Sequence, residues 1–279
     1  TQEVFWSDQM FKIFRHSAQN GAPSFEQHLL SIDPEYRSSW DKSFNHCIDT
    51  GESIQLVTKV MHPINNIWIE GTAKAKLDAK GNVCEVFGTC QDITNRVELE
   101  QQIAKKNEIE NTANKIRKDF FKYKTEPQKL FDLILENFLL YTNSSFGLIG
   151  DILHDEDNNP SIKPYSLIDL TWDKQTKSLY QHPREDAFEF SILNNIFGEV
   201  VRTKEIKITH DFSNEKSSNE TPKVHPPLDT FAGIPIIIDD KMTSIIAVAN
   251  AKHYTQDLIE SLSPLFIATA DIVSLFKYE

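Results

Sequence analysis

The sequence predicts an α+β protein of two domains, each with a central antiparallel sheet flanked by helices, the two joined by a long helix. Three observations carry this reading. The chain has 279 residues, room for two ordinary domains at roughly 100 to 200 residues each. Its apolar spacing changes twice from helical steps to strand-like runs, after Gly51 and again from about Ser145. Between Gly88 and Pro127 there is neither glycine nor proline, and Glu, Gln, Asn and Lys dominate. The boundaries follow as residues 1–95, a helical linker over 96–125, and residues 126–279.

In the first segment, Val4, Phe5 and Trp6 read as a short strand. Ser7 and Asp8 cap a helix that carries Met10, Phe11, Ile13 and Phe14. After the turn Gly21-Ala22-Pro23, helices are expected over 25–30 and 34–48, the second with Trp40, Phe44 and Ile48 at steps of four and closed by Gly51. Strands over 54–60, 67–77 and 82–92, separated by Pro63 to Asn66 and Asp78 to Gly81, make an antiparallel meander.

The linker starts at Thr94, an available N-cap. Ile109, Ala113, Ile116, Phe120 and Tyr123 follow at steps of four, three, four and three, the rhythm of a coiled-coil seam. Ile103 lies six residues before Ile109, so the seam slips there. A helix this long and polar buries only a narrow stripe, and the expected partner is a second copy in a parallel homodimer.

Pro127 opens the next helix, with Leu130, Leu133, Ile134, Phe138 and Tyr141 as its apolar ladder. Strands over 145–153 and 162–170 flank the acidic run Asp155 to Asn159. Helical pieces over 173–180 and 191–203 follow, then strands over 206–210, 231–238 and 244–249. A closing helix from about Thr255 buries Leu258, Leu262, Leu265, Thr269, Ile272 and Phe276.

Several function classes are excluded. A net charge of -12 repels nucleic acid. No stretch approaches the roughly 20 apolar residues of a membrane span, and the start lacks the features of a signal peptide, so the expected location is the cytoplasm. The nine glycines form no GxGxxG or P-loop spacing. The three cysteines, Cys47, Cys84 and Cys90, form no CxxC pair, and the nine histidines form no HExxH or HxH motif. The acidic run is a hairpin turn rather than a calcium loop, because Pro160 stands where the turn glycine belongs and Ser166 where the bidentate Glu belongs. With no GxSxG elbow either, no catalytic residue or metal ligand is assigned, and the chain is expected not to be an enzyme.

Two family resemblances sharpen the reading. Residues 5–14, FWSDQMFKIF, followed by Gly51-Glu52, Trp68, the turn 78–81 and Gly88-Thr89-Cys90-Gln91-Asp92-Ile93-Thr94, resemble the opening, order and GxxQDIT exit of a PAS domain. Asp33-Pro34-Glu35 departs from the family's usual HPxD. The family's first strand would lie upstream of Val4, so the chain is expected to be a fragment. The segment from Glu126 onward resembles a GAF domain through Phe146 to Gly150, Trp172-Asp173, Phe197 to Val201 and His225 to Leu228, with Thr230 to Pro235 continuing the last motif.

These resemblances imply a non-catalytic sensory module of a bacterial signalling protein, its output histidine kinase or cyclic-di-GMP enzyme lying outside this chain. The alternative is a ligand-free platform for dimerisation. The cofactor is unknown. No cysteine lies in 126–279 for bilin attachment or thiol-dependent sulfoxide reduction, the cyclic-nucleotide NKxDE pattern is absent, and Cys47 in FNHCIDTG is not a flavin-adduct motif. In the GAF-like half a small-molecule pocket is expected on one sheet face among Tyr165, Ile168, Trp172, Phe190, Phe197, His225 and Phe231. In the PAS-like half Met10, Ile13, Phe14, Phe44, Trp68 and Cys90 line either a cavity or an ordinary core, with the Trp68 indole directed to Asp92. Asp92 and Thr94 form the relay into the long helix.

Overall fold

The computed structural model describes residues 3–62, 64–170, 190–191, 195–211 and 228–278. The chain divides into two compact units, Thr1–Ala104 and Lys105–Glu279, the division falling inside one helix.

In the first unit the expected opening strand does not form. Trp6 instead enters a cluster of rings, 4.8 Å from Phe14 and 5.5 Å from Phe11. Ser7 caps α1 (Asp8–Ile13). Ser24 and Gln27 cap α2 (Phe25–Ser31) reciprocally, each side chain taking the other's backbone N–H. Asp33 caps α3 (Pro34–Thr50), where Pro34 needs no hydrogen-bond acceptor, and Gly51 ends it in the left-handed region at φ 78°. The strands β1 (Ile54–Val60), β2 (Ile67–Leu77) and β3 (Val83–Asp92) form the expected antiparallel meander in the order β1-β2-β3. Its core gathers Ile13, Phe14, Val60, Ile67 and Ile69.

The helix α4 runs from Thr94 to Tyr123. In the second unit, α5 (Pro127–Thr142) precedes β4 (Phe146–His154), β5 (Pro160–Asp169) and β6 (Phe190–Ser191). Then come α6 (Ile196–Thr203), β7 (Lys207–Thr209), β8 (Phe231–Ile238), β9 (Lys241–Ala249), α7 (Gln256–Ser261) and α8 (Ser263–Tyr278). Within the expected helix over 191–203, Ile196–Thr203 forms α6, capped by Asn195; the expected helix over 173–180 lies outside the described residues. The closing helix is divided near Leu262, because Pro264 has no N–H to donate back across the turn. The antiparallel sheet has the order β6-β5-β4-β9-β8-β7.

Each face of this sheet has its own apolar layer. One carries Ile149, Ala232, Ile234, Ile236, Ile246 and Val248 against α5, α8 and the later part of α4. The other carries Phe146, Leu148, Ile152, Ile162, Phe231, Ile245 and Ala247 with Ile196 and Val200 of α6. The proposed dimer seam belongs to the first layer. Ile109, Ala113, Ile116 and Phe120 are 1, 1, 3 and 2 % exposed, and Tyr123 packs beside them. Phe120 meets Phe276 edge-on at 5.2 Å, Thr112 bonds Tyr141 Oη at 2.8 Å, and Arg117 pairs with Asp271 at 2.8 Å. The stripe is thus used within its own chain, and pairing of two copies would need other side chains. A 3-4 repeat is equally the signature of a helix packing on its own domain.

The hairpins β2–β3 and β4–β5 use one turn device. Asp78 Oδ1 accepts the N–H groups of Lys80 and Asn82, and its Oδ2 accepts Asn82 Nδ2. Asp155 treats Asp157 and Asn159 in the same way. These bonds hold both carboxyls below their usual range, and they explain the acidic run as a turn. Among the described residues no helix is long and apolar enough to cross a membrane.

Gly88 tests the first sheet. A Cβ there would stand 1.8 Å from the Thr72 carbonyl oxygen, whereas at Gly71 the nearest atom would be 3.8 Å away. Gly88→Ala should destabilise the first unit by about 2 kcal/mol or more, and Gly71→Ala should be far milder. Urea unfolding of both variants checks this, and equal stabilities would contradict the packing.

Candidate functional site

The second unit separates the residues expected to share a pocket. Phe197 and Phe231 lie on the α6 face, their rings 5.0 Å apart and T-shaped. Gly233 makes room for that arrangement, since a Cβ there would come within 2.8 Å of the Phe231 ring and of Val200. Tyr165 and Ile168 lie instead on the face covered by α4, α5 and α8. The cause is a bulge in β5. Ile149 pairs with Ser166 and Gly150 with Pro164, leaving Tyr165 as the extra residue. Leu167 rather than Ile168 then faces the α6 side. Phe190 is placed by its backbone, paired with Ile162; Trp172 and His225 lie outside the described residues.

On the opposite face Tyr165 joins a polar cluster. Its ring stacks on Phe131 at 4.2 Å and its hydroxyl donates to Asp151 Oδ2 at 2.6 Å. Asp151 Oδ1 accepts from Ser244 Oγ at 2.7 Å and pairs with Lys277 Nζ at 2.8 Å. Lys277 also donates to the Thr243 carbonyl at 3.2 Å. Burial, reinforced by the Asp151 hydrogen bond and charge, raises the Tyr165 pKa above the usual phenol range, so Tyr165 stays a donor. This cluster fastens the end of α8 to β4 and β9. Asp151, Ser244 and Lys277 escaped the sequence reading, although an acid inside the apolar run of β4 demands partners.

In the first unit, Met10, Ile13, Phe14 and Cys90 do come together, around Val60, Ile67 and Ile69. The Cys90 thiol is pushed up to about 11, by burial first and by the charge of Asp92 second, so it is protonated at neutral pH. Phe44 lies elsewhere, stacked on Trp40 at 5.0 Å beside Phe25. Trp68 alternates with Ile67 and Ile69 and so points to the other sheet face, where it meets Tyr36 at 5.6 Å. Among the described residues no group of three or more His, Cys, Asp and Glu is placed to hold a metal ion.

A histidine missed in the sequence stands between these groups. His28 touches the rings of Trp6, Phe14 and Trp40 at 5.8, 5.1 and 5.4 Å. Its Nδ1 is sealed from solvent without a hydrogen-bond partner. Burial lowers its pKa from 6.5 to about 4, a preference for the neutral ring of about 3 kcal/mol. That exceeds the ~0.5–2 kcal/mol that ring faces offer a cation.

The exit of β3 is a compact joint. Asp92 Oδ1 accepts from Thr94 N at 2.9 Å and Thr94 Oγ1 at 2.6 Å. Thr94 Oγ1 accepts from Trp68 N at 2.9 Å, while Ile93 N donates to Trp68 O at 2.8 Å. Asp92 therefore caps α4 in place of Thr94, and takes the Thr94 donors rather than the Trp68 indole. Thr94 ties the helix start to β2.

A protein-family model described as GAF domain matches residues 124–272. Among solved structures, the GAF domain of an Acinetobacter phosphoenolpyruvate-protein phosphotransferase is 13% identical, covers 59% of this chain and 91% of its own, and has a TM-score of 0.43. The corresponding Coxiella burnetii domain is 13% identical, with 60% and 96% covered and a TM-score of 0.45. A type II free methionine-R-sulfoxide reductase from Thermoplasma acidophilum is 10% identical, with 55% and 96% covered and a TM-score of 0.39. No curated protein sequence matches the chain.

The Asp151 cluster yields a direct expectation. Lys277→Met leaves a mostly buried carboxylate with two hydroxyl donors and no cation, and should cost about 1–3 kcal/mol. Adding Asp151→Asn to Lys277→Met should recover part of that loss. Denaturant titrations of the single and double variants check it, and strictly additive losses would remove the coupling.

Proposed function

Because the chain belongs to the GAF domain family, whose members are sensory or regulatory modules in signalling proteins, we propose that it is a non-catalytic sensor. It binds a small, largely apolar molecule on the α6 face of the second sheet and passes the change to an output domain such as a histidine kinase or a cyclic-di-GMP enzyme. The observation that carries this is the division of labour between the two sheet faces. One is covered by three helices; the other packs the buried Phe231 ring edge-on against the half-buried Phe197 of α6. A mostly apolar wall with few polar anchors is what small-molecule sites require.

We further propose the first unit as a PAS domain. Its meander, its flanking helices and the joint at Asp92 and Thr94 support that reading, and the joint serves as a relay into α4. The second unit has no cysteine, so thiol chemistry of the kind a sulfoxide reductase performs has no nucleophile there.

The test is mass spectrometry of small molecules released by denaturing the purified protein. Wild type should release one compound in near-stoichiometric amount. Phe197→Ala, which removes a half-buried ring, should retain it about tenfold more weakly, the effect of ~1.4 kcal/mol. Release of nothing, with no metabolite raising the melting temperature, would favour the ligand-free platform.

A further inference from the structure

We propose that His28 makes the first unit an acid-responsive element: protonation drives its ring out of the nest formed by Trp6, Phe14 and Trp40 and loosens the N-terminal segment from α2 and α3. The geometry carries the inference. Three segments distant in sequence meet on this one imidazole, Trp6 before α1, Phe14 after it, and Trp40 from α3. Phe14 also belongs to the core with Ile13, Val60, Ile67 and Ile69, so displacement of His28 reaches the sheet.

Among the described residues nothing around the ring compensates a charge. The N-terminal segment and α1 face it with Trp6 and Phe14, and α3 faces it with Trp40. His16 packs on Trp6 at 6.0 Å and on Phe11 at 6.2 Å. Arg37 spends its guanidinium on the carbonyls of Ile32 and Leu30. Asp41 follows Trp40 on α3 and is half-buried, while Glu26 on the histidine's own helix is exposed; no ion pair joins either to His28 among the described residues. The buried Nδ1 has no acceptor in reach, so an imidazolium there would have an N–H with nowhere to donate.

The sign follows from the two protonation states. Burial favours neutral His28 in the fold and sets its pKa near 4, below the unfolded value of 6.5. The unfolded or opened state therefore binds the proton first. The contribution is fully present above pH 6.5 and is lost as the pH falls towards 4.

Two of the three rings at the nest are tryptophans, which supply the probe. The intact chain is titrated from pH 7.5 to 4, following tryptophan emission together with far-ultraviolet circular dichroism. Wild type should show a red shift with a midpoint between about pH 4 and 6 before helix content is lost. His28→Phe and His28→Gln should move that midpoint down by at least about one unit or abolish it. Variants that fold at pH 7.5 yet keep the wild-type midpoint would overturn the proposal, as would a wild type without the shift. An imidazole NMR titration of wild type reads the site without any substitution: His28 titrating below about pH 5.5 supports the switch, and titration at or above about pH 6 overturns it.

Discussion

The second sheet has two central strands buried on both faces, and this constraint governs most of the unit around them. β4 and β9 carry apolar side chains on either side almost without interruption, so each face needs a cover. At roughly 25 cal/mol per Å² of apolar surface removed from water, such layers dominate the stability of a domain. α4, α5 and α8 supply one layer, and α6 contributes to the other. The later part of α4 is thereby committed to the second unit, although the same helix begins at the exit of the first sheet.

Polar side chains in both units tie sheets to helices through defined partners. Asp151 joins β4 to β5, β9 and the end of α8 through Tyr165, Ser244 and Lys277. Asp92 and Thr94 join β3, β2 and the start of α4. Each joint places a carboxylate where a sheet meets a helix, and in each a short hydroxyl donor fixes the geometry.

Local chemistry made many elements legible from the sequence. Ser7 before α1 and Gly51 after α3 announce helix ends by mechanisms that need no tertiary context. The meander was legible because period two and turn residues agree. The pocket was less so. Ile168 was placed on the wrong face because a one-residue bulge at Tyr165 reverses the alternation beyond it, and such an insertion leaves no clear mark in an apolar run. The stripe from Ile109 to Phe120 was read as a seam between two copies, whereas it is already buried within its own chain, since spacing reports a buried face without naming what covers it. Trp68 could have been assigned from its flanking isoleucines. The nest of His28 depends on three separated segments, which spacing along the chain does not bring together.

The account rests most heavily on α4 being an internal helix of the second unit. The direct measurement is the unfolding free energy of wild type and Ile116→Asp over a roughly hundredfold range of protein concentration. A buried, unpaired carboxylate in place of an isoleucine that is 3 % exposed should cost about 3 kcal/mol or more, by the same amount at every concentration. A wild-type stability that climbs with concentration, together with a variant that matches dilute wild type, would contradict it and return the stripe to an interface between two copies.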